Sequence, residues 1–185
     1  YIQLVNQSSA QTSGFVVFPG ATLGALFTPF GGRIMDHFGA KKPIIGGSLV
    51  IALSLCTFLL LAEDLGNLLI GVLYFIFTLG IGFSFGNLMT NGLSQLNKAQ
   101  QADGNALIMT FQQFAGATGT SIIAAIISKS QSDQTLSVAQ STIAGARVGF
   151  IVLLLLFAIE LLLLGSLFFM KKETKIDFVQ EKQKG

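Results

Sequence analysis

Residues 1–32 contain no Asp, Glu, Lys or Arg, and neither do 43–62, 65–97 or 104–128. A further stretch, 148–170, carries a single acid, Glu160. Uncharged runs of this length constrain the fold more than any motif does. As an α-helix, roughly 20 apolar residues cross the hydrocarbon core of a bilayer, about 30 Å thick. Each run is too long for a buried strand, and their recurrence is not that of one unusual core helix. Ser, Thr and Gly inside them are tolerated because a helix satisfies its own backbone. Only 11% of the chain is charged, against about 25% in ordinary soluble domains, so a water-facing surface cannot be built. The sequence predicts an all-α membrane protein with five transmembrane helices, at about 14–33, 43–62, 68–93, 104–128 and 148–170.

The basic residues then orient the helices. If the spans alternate, Arg33, Lys41, Lys42, Lys98 and the tail lysines fall on one side, and Lys129 and Arg147 on the other with Glu63 and Asp64. The excess marks the cytoplasmic face, which places 33–43 and the C-terminal tail 171–185 there. Residues 1–12 read as the end of a preceding helix and an external loop, the cut end of a longer chain with no signal peptide. The Ser/Thr/Gln-rich segment 128–147 reads as an external loop or an extension of the fourth helix. A net charge of +2 is too small to suggest nucleic acid. One cysteine, Cys56, and one histidine, His37, give no disulfide and no metal-ligand set. No cofactor is expected.

Small and polar residues recur at helical spacing within the spans. Gly80, Ser84, Asn87, Asn91 and Ser94 form one stripe, and Asn105, Gln112, Gly116 and Gly119 another, with Gln113 and Thr120 beside it. Gly20, Gly24, Thr28 and Gly31 line the first helix. Such residues let membrane helices approach closely and bond to one another. Alternatively, a stripe of amides and hydroxyls lines a wet path, and Ser84, Asn87, Asn91, Gln112 and Gln113 are the candidate lining. Pro19 predicts a kink early in the first helix.

Arg33, Asp36, His37, Lys41 and Lys42 crowd into an island between uncharged runs. In GGRIMDHFGAKKP, Gly32 ends a span and Gly39 can take the positive-φ turn that reverses the chain. Asp36 is placed to accept hydrogen bonds from a helix N-terminus, Arg33 to hold that carboxylate, and Lys41 and Lys42 to pin the loop to the charged face. A generic basic loop explains the lysines but not the spacing of Gly32, Asp36 and Gly39.

That pattern resembles the G-x-x-x-D-x-x-G-x-K/R-K/R loop of the major facilitator superfamily. YIQLVNQSSAQTSGFVVFPGATLGALFTPFGGRIMDHFG is similar to the corresponding stretch of the fourteen-helix drug:proton antiporters, and GNALIMTFQQFAGATGTSI to their penultimate span. His37 and Ala40 stand where those proteins often have Arg. The resemblance implies a C-terminal six-helix bundle without most of its first helix. It also implies a partner in the N-terminal half of the same transporter, where most proton-carrying acids lie. It assigns to Gly32, Arg33, Asp36 and Gly39 the stabilisation of one access state.

The implied function is proton-coupled export of lipophilic or cationic compounds from the cell membrane by alternating access. A nutrient or metabolite transporter of the same fold is the alternative, although importers of charged solutes usually need a mid-membrane Arg or Lys, and the spans contain none. A nontransporting membrane assembly partner is the third reading. An enzyme is not expected, since no Cys–His pair, Ser–His–Asp set or carboxylate pair lies in the spans. Glu160 is the candidate protonation site. An acid inside a span costs roughly 3 kcal/mol on insertion scales, so it must stay neutral, find a partner or face a wet cavity.

Overall fold

The computed structural model describes residues 1–132 and 135–184, with side chains described outside 28, 29, 31 and 168–184. Five helices, α1 (Ala10–Phe38), α2 (Lys41–Leu60), α3 (Asn67–Leu93), α4 (Gln101–Gln131) and α5 (Val138–Lys184), account for the described secondary structure. Among the described residues no strand is present. Three of the helices are long and apolar enough to cross a membrane, namely α2, α3 and α5 over Val138–Leu167. Counting the two arms of α1, Ala10–Phe27 and Gly32–Phe38, as one bent span makes four. The expected fourth span, 104–128, lies within the helix α4, but α4 is not among the helices apolar enough to cross a membrane, because its Gln, Asn, Ser and Thr lower its hydropathy.

Ser9 starts α1 by accepting a hydrogen bond from the Thr12 N–H at 3.1 Å, an N-cap that uses an otherwise orphaned donor. The arms of α1 meet at 40°. The bend therefore lies not at Pro19 but around 28–31, where Pro29 removes a second backbone donor.

α1 packs chiefly on α3 rather than on its chain neighbour α2. The two run parallel: a Cβ at Gly20 would fall 2.7 Å from Tyr74 Cδ1, and one at Gly24 2.6 Å from Thr78 Cβ. Thr78 Oγ1 donates to the Gly20 carbonyl at 2.8 Å. Thus Gly20 and Gly24 act as the predicted close-approach residues, while Thr28 and Gly31 lie outside the described side chains. α2 and α3 cross antiparallel through Gly47 and Gly80, whose added Cβ atoms would sit 2.7–2.8 Å from each other's carbonyl oxygens. Ser54 Oγ closes the same interface with a 2.8 Å hydrogen bond to the Leu73 carbonyl.

α4 and α5 form a second antiparallel pair. Ser130 Oγ donates to the Ser141 carbonyl at 2.7 Å, and the Gln131 amide to Thr142 Oγ1 at 2.8 Å. Helix therefore takes up most of the expected external loop 128–147, because its hydroxyls and amides bond across the pair instead of to water. Residues 133–134 lie outside the described ones. At this end of the bundle Phe58 stacks on Phe150 with centroids 5.3 Å apart, and Arg147 Nη1 reaches Glu63 Oε1 at 2.6 Å. The apolar core, including Phe58, Leu65, Ile70 and Leu73, lies beside them.

Candidate functional site: the basic turn and the α2–α5 cavity

The charged island is mostly helix. α1 continues through Gly32, Arg33 and Asp36 to Phe38, leaving only Gly39 and Ala40 between it and α2. Gly32 thus does not end the helix: it opens the second arm of α1, Gly32–Phe38, and its Cβ position is open. Gly39 does end it, at φ 77° and ψ 164°, with its N–H bonded to the Met35 carbonyl at 2.8 Å. This extended positive-φ region is essentially open only to glycine.

Two expected contacts are not formed. Arg33 does not hold Asp36, because its guanidinium lies over the Phe30 ring, 5.4 Å from the centroid. Nor does Asp36 cap α2, whose N-cap residue is Ala40 and which has no side-chain cap. Both side chains are exposed, and Asp36 makes no ion pair among the described residues. Lys42 Nζ sits 4.6 Å from the Phe38 centroid, so the turn is held by ammonium-on-ring contact and by Gly39. Lys41 opens α2 beside it.

The polar stripe of α3 divides. Gly80, Ser84 and Asn87 are buried, Asn91 is half-buried and Ser94 is exposed. Ser84 Oγ shares a hydrogen bond with Ser48 Oγ at 2.9 Å, and the Asn87 amide donates back to the Phe83 carbonyl at 2.7 Å. This half of the stripe joins α3 to α2, as small polar residues do in membranes.

Ser84 has a second surface. It borders a cavity of about 400 Å³ between α2, α3, α4 and α5, and Gln112 and Glu160 border it too. Three of the predicted polar residues therefore meet in one place, whereas Asn87, Asn91 and Gln113 do not line it. Ser84 and Gln112 each stand roughly ten residues, about 15 Å, from the end of α3 at Leu93 and the start of α4 at Gln101, and Glu160 borders the same cavity. Such a distance is half the thickness of a bilayer core, about 30 Å, so they share one depth near its middle. Glu160 and Gln112 make no hydrogen bond within the described chain, and Glu160 no ion pair. Of the leucines near Glu160 on α5, Leu153 and Leu156 border the cavity, Leu156 from an exposed position, and Leu164 is buried. Farther along the same helix Gly149 rests on Ile123 of α4.

Aromatic walls complete the cavity in Phe77, Phe85 and Phe157. Sequence reading passed over them because phenylalanine is common throughout this chain. Their signal is spacing: 77, 81, 84, 85 and 88 fall on one helical face. The Glu63–Arg147 pair was hidden for another reason, since no local pattern joins residues so far apart in sequence. Gln112 itself is exposed, as are its stripe neighbours Gly116 and Gly119 and the flanking Gln113 and Thr120, and no described residue of α4 is buried. Among the described residues no cluster of His, Cys, Asp or Glu could hold a metal.

Comparison with known proteins gives this arrangement a lineage. Residues 1–120 match the family model described as Major Facilitator Superfamily. The chain belongs to the major facilitator superfamily. It is 31% identical over 180 residues to lincomycin resistance protein LmrB of Bacillus subtilis, covering 91% of this chain and 36% of that one. Identity to the LmrB of Listeria innocua is 35% over 133 residues, or 71% of this chain and 28% of the relative. A multidrug resistance protein B homolog of Mycobacterium tuberculosis is 30% identical over 131 residues, covering 69% and 24%. The chain thus spans about a third of the length of the relatives it matches. No solved structure matches it. Membership makes this a multi-pass, all-α membrane segment of a transporter family rather than an enzyme.

Proposed function

We propose that this chain is the C-terminal bundle of a proton-coupled exporter of lipophilic or cationic compounds that works by alternating access in the cell membrane, with the basic turn cytoplasmic. The observation that carries the reading is the identity of 31–35% to proteins named for lincomycin resistance. The structure supports it in two further places. The exposed α4 presents the amides of Gln112 and Gln113 beside glycines, where lipid would leave the amides unpaired, so a second bundle or a wet path belongs there. At the basic turn, Arg33 and Asp36 are exposed and unbonded to each other. They are available for a contact that exists in one access state only, which is how a surface pair biases a two-state equilibrium.

The test is efflux from cells expressing the full-length protein that contains this segment. Lincomycin or ethidium should leave those cells faster than control cells, and a protonophore should abolish the difference. Equal accumulation in both would refute export. Efflux that survives the protonophore would refute proton coupling alone.

A further inference from the structure

We propose that the cavity between α2, α3, α4 and α5 is a binding site for a protonated lipophilic amine, selected by its N–H donors through Glu160 and Gln112. The lining is unbalanced. Among the described residues of the four helices, Glu160 brings the only ionisable side chain that borders the cavity. It has no hydrogen bond or ion pair among the described residues, although it sits among Phe77, Phe85 and Phe157. A carboxylate in such walls needs a cation, and a neutral carboxyl needs an acceptor. The Gln112 amide, equally unpaired, offers a carbonyl oxygen. Ser84 spends one bond on Ser48 at 2.9 Å and keeps a lone pair.

Acceptors therefore converge with no cationic side chain to satisfy them. A ligand that supplies both positive charge and N–H groups completes the set. Anions are disfavoured, because they would meet the Glu160 carboxylate with no cationic side chain among the described lining residues and only amide and hydroxyl donors. A quaternary ammonium brings charge and would enjoy the aromatic faces, but it leaves the oxygens without the donors that a protonated amine supplies, which costs affinity. A cavity of about 400 Å³ lies at the small end of ligand pockets, roughly 300–1,000 Å³, and so fits one compact amine with an aromatic body. This inference rests on the transporter reading for its membrane setting, while the site itself lies within this chain.

The test uses the purified full-length protein in detergent, without a gradient, and three fluorescent probes: dansylcadaverine, its N,N,N-trimethyl derivative and its neutral N-acetyl derivative. The wild type should bind the amine about fivefold more tightly than the trimethyl compound. Glu160→Gln should weaken amine binding by about tenfold, and Gln112→Leu by about threefold, with the N-acetyl probe unchanged in both. Amine affinity unaltered in Glu160→Gln overturns the proposal, as does equal wild-type affinity for the amine and trimethyl probes. Should Glu160→Gln fail to yield folded protein, unaltered amine affinity in Gln112→Leu overturns it, since Gln112 is exposed and its loss disturbs no packing. Because binding is read without transport, loss of amine binding leaves the exporter reading standing. A failed efflux assay, in turn, leaves the site intact.

Discussion

Gly39 holds a backbone conformation that costs a residue with a Cβ about 1–3 kcal/mol, although space around it is open. Gly32, seven positions earlier in the same motif, is ordinary helix with open space as well. The two glycines should therefore respond oppositely to alanine. Gly39→Ala is expected to lower thermal stability of the full-length protein by about 1–3 kcal/mol. Gly32→Ala should be neutral or raise it by about 0.5–1 kcal/mol through helix propensity. Unfolding of both variants in detergent checks this, and a costly Gly32→Ala would mean that the second bundle closes on that position. Asp36→Asn makes a functional contrast, because the side chain is exposed and makes no ion pair among the described residues. Stability should hold, while cross-linking that reports the two access states should shift and transport should fall. Unchanged populations with unchanged flux would remove Asp36 from the gate.

Among the elements, α2, α3 and α5 were legible from sequence because an apolar run of membrane length has few other fates. The end of α1 was not. Charged residues after an apolar run read as a loop, yet water and lipid headgroups solvate Arg33 and Asp36 as well on a helix as off it, so the ladder continues until Gly39 stops it. The α4–α5 ends misled in the same way, since hydroxyls and amides that suit a loop also zip two helices together. The α3 stripe was read correctly as a face, but period alone cannot say whether a face meets a helix or a cavity. Ser84 does both. Its bond to Ser48 gives a prediction for the α2–α3 crossing. A double-mutant cycle of Ser48→Ala and Ser84→Ala should show a coupling of about 0.6 kcal/mol, the average for hydrogen bonds between membrane helices. A coupling near zero would leave the crossing to Gly47 and Gly80 alone. Gly47→Val is expected to cost more, about 1–3 kcal/mol, because its side chain would meet the backbone of α3.

For the molecule as a whole, the cavity residues were each visible in the sequence, but their meeting was not, because it depends on four helices and on matching depth. Orientation is open to direct measurement. With Cys56 replaced by serine, cysteines introduced at Ala40 and Thr135 should label from opposite sides of intact cells, position 40 from within. Labelling of both from outside would reverse the assignment. The Glu63–Arg147 pair at the far end is solvent-exposed, so Arg147→Gln should change stability by less than about 1 kcal/mol. The seating of α1 on α3 also bears on the order of events during synthesis. Consecutive helices usually meet as a hairpin, but Gly20 and Gly24 of α1 and Gly47 of α2 all close on α3. When the ribosome has delivered α2, therefore, neither small-residue face has found its partner. The interval in which residues 67–93 are being made is when this segment has least to lose from being pulled out, and when a quality-control protease has most to grip.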